Sequence, residues 1–181
     1  MTTTATKTDS DTPPTWDLAD LFKGLDDPEI DKALSSRNGD SASFQKEFAG
    51  KLASLSGAAF GAAIARYEDI LEGAFKVMSY AQLLHAADTA NQEIAQFHQS
   101  CQERVNGITG TLLFFTLELN RIEDDVLNEQ LKDPALARYR PWIDAERQAR
   151  PYQLSDDIEQ MLHDKSVTGH AAWTRMFDET M

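Results

Sequence analysis

A single cysteine, Cys101, stands in 181 residues, so no intrachain disulfide can form. It lies in an apolar periodic run, where a thiol is ordinarily a small packed hydrophobe and not a nucleophile or redox centre. Basic residues are scarce: 17 Lys and Arg against 30 Asp and Glu leave a formal charge of -13. That deficit excludes a nucleic-acid partner, which requires a clustered basic face, and equally an anionic membrane surface. No run of about 18 apolar residues is present, so nothing reads as a bilayer-spanning helix. The first 14 residues are rich in Thr, Asp and Pro, with one lysine and no apolar stretch of the kind a secretory signal needs. The chain therefore reads as cytoplasmic.

What is present is material for a helical core. Hydrophobic residues make up 41% of the chain and charged residues 26%, the balance of a foldable domain. Residues 1–14 hold almost nothing to bury and are expected to form a disordered polar leader, with residues 15–181 as the helical domain. Structure is expected to begin at Trp16-Asp17-Leu18-Ala19-Asp20-Leu21-Phe22, whose aromatics and leucines can staple the chain start onto a core. Asp26-Asp27-Pro28-Glu29 marks a helix start, with a capping Asp, Pro in the first turn and acids at the positive dipole end. That helix is predicted to pass Ile30 and Leu34, to break or bend at Asn38-Gly39, and to resume around Phe44 and Phe48.

The strongest pattern follows. Phe60, Ile64, Tyr67, Leu71, Ala74, Met78 and Ala81 recur at steps of three and four, with Ile70, Val77 and Leu84 widening the stripe. Ser56 is a plausible cap for this helix. A second run carries Ile94, Phe97, Cys101, Ile108, Leu112, Phe115, Leu119 and Ile122. Between the two, Thr89 and Gln92 have capping-box spacing. A short connection between two helices, each on the order of 40 Å long, predicts an antiparallel hairpin.

Shorter helices are expected beyond Glu123-Asp124-Asp125. One opens at Pro134 and carries Leu136, Tyr139, Trp142 and Ile143, closed by Arg150-Pro151-Tyr152. Ser155-Asp156-Asp157 starts another, leading to Ile158, Met161 and Leu162. Thr168-Gly169 starts the last, with Trp173 and Phe177 on one face. No segment alternates apolar and polar residues with β-branched enrichment, so the fold class is all-α, a long antiparallel helical hairpin packed with several shorter helices. The chain ends at Asp178-Glu179-Thr180-Met181 without a helix stop signal, which reads as truncation or as a C-terminal helix that frays without a cap.

Catalytic constellations are missing. A zinc peptidase helix needs His-Glu-x-x-His, which sets two imidazoles on one helical face. Here His85, His98, His163 and His170 have no such spacing, and none precedes a glutamate. The Glu-x-x-His pairs of di-iron bundles are also absent, as are a Gly-x-Ser-x-Gly elbow and a phosphate-cradling glycine loop. The nearest ligand pairs, Glu159 with His163 and His85 with Asp88, have the spacing of ordinary surface ion pairs or hydrogen bonds. A small metal enzyme built on Glu159, His163 or His85 is the weakest functional reading. Asp26-Asp27, Asp124-Asp125 and Asp156-Asp157 all lie at helix starts, where the dipole accounts for them. Phe114-Phe115, Tyr139, Trp142, Tyr152, Trp173 and Phe177 fit a core better than a peptide groove. The sequence assigns no catalytic, cofactor-binding or metal-binding residue.

Several segments in order resemble the N-terminal region of the oligoendopeptidase F family. Trp16-Asp17-Leu18-Ala19-Asp20-Leu21-Phe22 is similar to that family's Trp-x-Leu-x-Asp-Leu-aromatic opening. The hairpin with Tyr67, Tyr80-Ala81-Gln82-Leu83-Leu84 and Phe114-Phe115-Thr116-Leu117-Glu118-Leu119 follows. Next come Tyr139-Arg140-Pro141-Trp142-Ile143, Arg150-Pro151-Tyr152-Gln153-Leu154-Ser155, then Glu159, Lys165, Trp173 and Phe177-Asp178-Glu179. The resemblance implies a cytoplasmic zinc metallopeptidase that hydrolyses short peptides inside an enclosed channel. In that family a His-Glu-x-x-His helix and a further glutamate hold the zinc, and the motif's glutamate acts as general base. None of those residues lies in this chain, so no cofactor is expected in it, and zinc is expected in the full-length parent enzyme. The implied role is a non-catalytic wall or lid restricting substrate size. Its implied partners are the missing C-terminal catalytic domain and, through the parent, short peptide substrates. The alternative is a stand-alone helical protein-interaction module. If a peptidase body is missing, Trp142, Met161, Trp173 and Phe177 should be partly exposed where it would cover them.

Overall fold

The computed structural model describes residues 16–180, so the polar leader expected at residues 1–14 lies outside the described residues. Within them the chain forms eight α-helices and two 3-10 turns, with no strand. The fold is all-α.

The first helix, α1 (Pro28–Phe48), starts where capping chemistry puts it: Asp27 accepts from Glu29 N at 3.0 Å, with Pro28 in the first turn. The Asp27 carboxylate also accepts from Lys23 N at 2.9 Å, and these backbone donors hold its pKa below the ordinary value. The break expected at Asn38-Gly39 does not occur. Helix α1 runs through both residues because its other face carries Ile30, Leu34 and Phe44 into the core. A helical glycine is unfavourable by about 1 kcal/mol, whereas seating Phe44 contributes about 1.5–3 kcal/mol. Packing prevails over propensity. Gly50, at φ +76°, then turns the chain in the left-handed region where a side chain would be strained.

Helix α2 (Gly57–Ala87) is capped by Ser56 as the sequence predicts, its Oγ accepting from Ala59 N at 3.2 Å. Helix α3 (Gln92–Arg121) is not opened by the Thr89–Gln92 box. Asn91 caps it instead, accepting from both Glu93 N (3.0 Å) and Ile94 N (3.2 Å). An Asn side chain adjacent to the first turn reaches two orphan donors at once, which leaves the earlier threonine without a role in the cap. The two helices run antiparallel. Phe60 and Tyr67 meet Phe115, Tyr80 meets Phe97, and His85 meets His98, so α2 numbers rise as α3 numbers fall.

Helix α1 lies against both arms, so the core is a three-helix arrangement. This moves the centre of the α2 stripe. Ile64, Ile70, Ala74, Val77 and Ala81 are fully buried, while Tyr67, Leu71 and Met78, expected at its middle, sit at its margin. A helix covered by α1, α3 and the segment after residue 123 needs an apolar face wider than one stripe.

The helices beyond the hairpin are short: α4 (Asp124–Gln130), α5 (Pro134–Ala137) and α6 (Arg140–Glu146). Pro134 opens α5 behind the Asp133 cap, which accepts from Ala135 N at 2.9 Å. The single helix expected from there to Ile143 is split in two. Pro141 has no N–H to offer the Ala137 carbonyl, so the ladder breaks and Tyr139 caps a new start. The 3-10 turn Arg147–Tyr152 follows, then α7 (Asp156–Lys165) and α8 (His170–Thr180). Arg147 joins this region to the hairpin, donating to Leu119 O (2.6 Å) and Ile122 O (2.9 Å) at the end of α3. Leu119 O already accepts from the C-cap Ile122 N at 3.3 Å, and the guanidinium adds a second donor there as an external cap. Among the described residues no helix is long and apolar enough to cross a membrane.

Candidate functional site

The residues weighed from sequence for chemistry are engaged elsewhere. Glu159 Oε1 accepts from Leu154 N at 2.8 Å, closing the start of α7. His163 turns the other way, its ring lying against α3 with Nε2 2.9 Å from Thr109 Oγ1. Thr109 Oγ1 is within donating distance of the Val105 and Asn106 carbonyls, so it accepts from a protonated Nε2. Their sequence spacing allowed one shared ion, but the two side chains take separate partners. His85 is buried against His98, ring centroids 5.0 Å apart and nearly perpendicular, while Asp88 is exposed at the C-cap of α2. Among the described residues no three His, Cys, Asp or Glu side chains come together as a metal set. The donors present do not fit a catalytic zinc ion.

Cys101 is buried on α3. Burial pushes its thiol up to about 11, with Asp31 adding to the rise and Arg104 opposing it. The thiolate that would attack a disulfide reagent is therefore nearly absent at neutral pH. Modification by Ellman's reagent is expected to be at least about 100-fold slower in the native chain than in urea. Equal rates would refute the packed assignment.

The acidic pairs do less capping than their positions suggest. Asp27 caps α1, but α4 and α7 have no side-chain cap bond, and Ser155 does not accept one. Asp124 instead accepts from Arg147 (2.6 Å) and Arg150 (2.9 Å), and Asp156 pairs with both guanidinium nitrogens of Arg121. Each ties a late element back to α3 or to its end. The Arg121 bond holds the Asp156 carboxyl below its ordinary value. A depressed carboxylate stabilises the fold above its unfolded pKa of about 3.9 and loses that contribution as pH falls through the folded value. The difference in urea midpoint between wild type and Asp156→Asn is accordingly expected at neutral pH, to shrink below about pH 4, and to weaken in salt. A pH-independent difference would mean that the pair is not what anchors α7.

The aromatics divide. Phe114, Phe115, Tyr139 and Trp142 lie in or against the core, as their spacing predicts. Tyr152, Trp173 and Phe177 do not, being 82%, 68% and 61% exposed. With Leu154, Met161 and Leu162, also exposed, they give the 3-10 turn, α7 and α8 an uncovered apolar surface. Of the four side chains singled out from sequence, Trp142 is half-buried, whereas Met161, Trp173 and Phe177 are open to solvent. The inner face of α7 is fixed to α3 by the Thr109–His163 contact, and just before α7 Gln153 Nε2 donates to Leu117 O at 3.2 Å. Gly110 admits this approach, since a Cβ there would stand 3.2 Å from Gln160 Nε2 and 3.3 Å from the His163 ring.

Residues 118–181 match a family model described as Oligopeptidase F, the N-terminal part of that peptidase group. No curated protein matches the chain, and no solved structure does.

Proposed function

We propose, from the premise that residues 118–181 carry an oligopeptidase F N-terminal region, that this segment seats the domain on a peptidase body and forms part of its channel wall or lid. The family match supports a non-catalytic N-terminal domain of a peptidase. One observation carries the rest: Tyr152, Leu154, Ile158, Met161, Leu162, Trp173, Met176 and Phe177 are exposed inside the matched segment, against Trp16, Phe75 and Leu83 outside it. Large side chains left in water across adjoining elements are the mark of an interaction surface. In this reading the zinc and its general base reside in the body, the substrates are short peptides, and the compartment is the cytoplasm.

The 181-residue chain should not hydrolyse an internally quenched peptide, with or without added zinc. Chelator-sensitive hydrolysis by the chain alone would overturn the non-catalytic role. The wall or lid role is tested where this region precedes a His-Glu-x-x-His body. Met161→Lys with Phe177→Lys should loosen the seating and admit longer peptides, and an unchanged length preference would remove that role.

A further inference from the structure

The apolar core ends at Ile143. From residue 147 to residue 180 no described residue is buried, and none belongs to the cluster that joins α1, α2 and α3. Helices α7 and α8 lie on α3 all the same, and the bonds that hold them are polar. His163 Nε2 meets Thr109 Oγ1 at 2.9 Å, Ser166 Oγ donates to Asn106 Oδ1 at 3.3 Å, and Asp156 pairs with Arg121. On α8, Arg175 donates to Gln99 Oε1 at 3.3 Å. The strip of α3 beneath them is polar or small at Asn106, Thr109 and Gly110. The fit is also incomplete. His163 Nδ1 and Gln153 Oε1 are buried without a hydrogen-bond partner, and Asp164 Oδ1, 3.6 Å from Nδ1, is out of reach.

The flanks of this joint are firmer. Arg147 and Arg150 tie the 3-10 turn to the end of α3 and to Asp124. Backbone hydrogen bonds bridge the turn from α7 to α8, Gly169 N to Lys165 O at 2.7 Å and Ala171 N to Ser166 O at 3.0 Å, so the two helices are coupled. Between these flanks Gln153 and Ser155 are extended, and Ser155 gives α7 no side-chain cap.

We propose that α7 and α8 form an arm that comes off α3 as one unit, turning at residues 153–155, while α1–α6 stay packed. A polar joint exchanges its hydrogen bonds for those of water at small net cost, and its two unpaired acceptors gain partners on opening. No side chain leaves the apolar core, so the opening free energy lies well below that of global unfolding. The two faces of the arm differ in kind. The inner face is polar, whereas the uncovered one carries Met161, Leu162 and Trp173. Wetting apolar area costs more than exchanging polar contacts. Resting on the seating proposed above, the arm therefore stays with the peptidase body, and the α3–α7 joint is where the rest of the domain turns as a lid.

The test is hydrogen exchange, read by mass spectrometry, on the 181-residue chain. Off α3, a helix of 10 residues is marginal in water, so its amides exchange when the arm opens. Peptides from α7 should exchange at least about 100-fold faster than the slowest amides of α2 and α3, yet at least about tenfold slower than unstructured peptide. Thr109→Val removes the partner of His163 and should speed α7 about fivefold while leaving α2 as it was. Should that variant lose helix content by circular dichroism, Gly110→Val gives the second reading. Its Cβ would stand 3.2 Å from Gln160 Nε2 and 3.3 Å from the His163 ring, so α7 should again exchange faster and α2 should not. Met161→Lys with Phe177→Lys, on the uncovered face, should leave these rates unchanged, so the joint and the seat fail separately. The proposal is overturned if α7 exchanges in step with the slowest amides of α3, or as unstructured peptide does. It is equally overturned if the joint variants alter α7 and α2 alike, or leave α7 unaltered.

Discussion

Truncating Phe115 to alanine is expected to lower the unfolding free energy by about 3–5 kcal/mol. The ring is fully buried and is the point where the principal helices meet. It stacks on Tyr67 of α2 at 4.8 Å and meets Phe44 of α1 edge-on at 5.1 Å and Phe60 of α2 at 6.1 Å. Tyr67 in turn touches Trp142 of α6 at 6.0 Å, so one cluster joins α1, both hairpin arms and the late helices. Removing the ring forfeits its transfer energy and leaves a cavity that long, mutually braced helices cannot collapse into. The urea midpoint should fall sharply, and Phe115→Leu should lose much less. A loss below about 1 kcal/mol for the alanine variant would show that the cluster is not the centre of the fold.

Gly61→Ala should be destabilising by about 2 kcal/mol, although alanine is the better helix former by about 1 kcal/mol. A Cβ at position 61 would stand 2.5 Å from Ala135 O and 2.7 Å from Ala135 C, both backbone atoms at α5. Backbone cannot rotate aside as a side chain can, so α5 has to move off α2 and its buried Leu136 with it. Gly57, one turn earlier, is similarly placed against the Gln130 carbonyl. Gly39→Ala is the control: nothing lies within 4 Å of its Cβ position on α1, so the same substitution should raise stability by about 0.5–1 kcal/mol. Opposite signs for the two variants would separate close approach from intrinsic propensity. If both stabilise, α2 and α5 are not in contact through Gly61.

The all-α class, the cap and start of α1 at Asp27-Pro28, the start of α2 behind Ser56 and the antiparallel hairpin follow from the sequence alone. They depend on side chains within a turn of the backbone they control, or on a periodicity repeated over many turns. The split between α5 and α6 was legible too, in Pro141, because a missing N–H acts on its own carbonyl partner four residues away. Only the tertiary structure decided that α1 passes through Gly39, that Ile70 and Val77 rather than Tyr67 and Met78 occupy the middle of α2, and that Asp124 and Asp156 go to arginines instead of caps. Each of these is a competition with a partner from a distant segment, and local propensity is too weak to settle it. The histidine pair belongs in the same class. Hairpin packing sets His85 opposite His98, although equal counting outward from the link at residues 88–91 would have paired it with Ile94. The arm of α7 and α8 arrives on α3 through a path of short helices that no local rule specifies. Burial is likewise a property of the assembled surface: Trp142 and Trp173 both sit in the first turn of a late helix, but one packs against the core and the other lies in water.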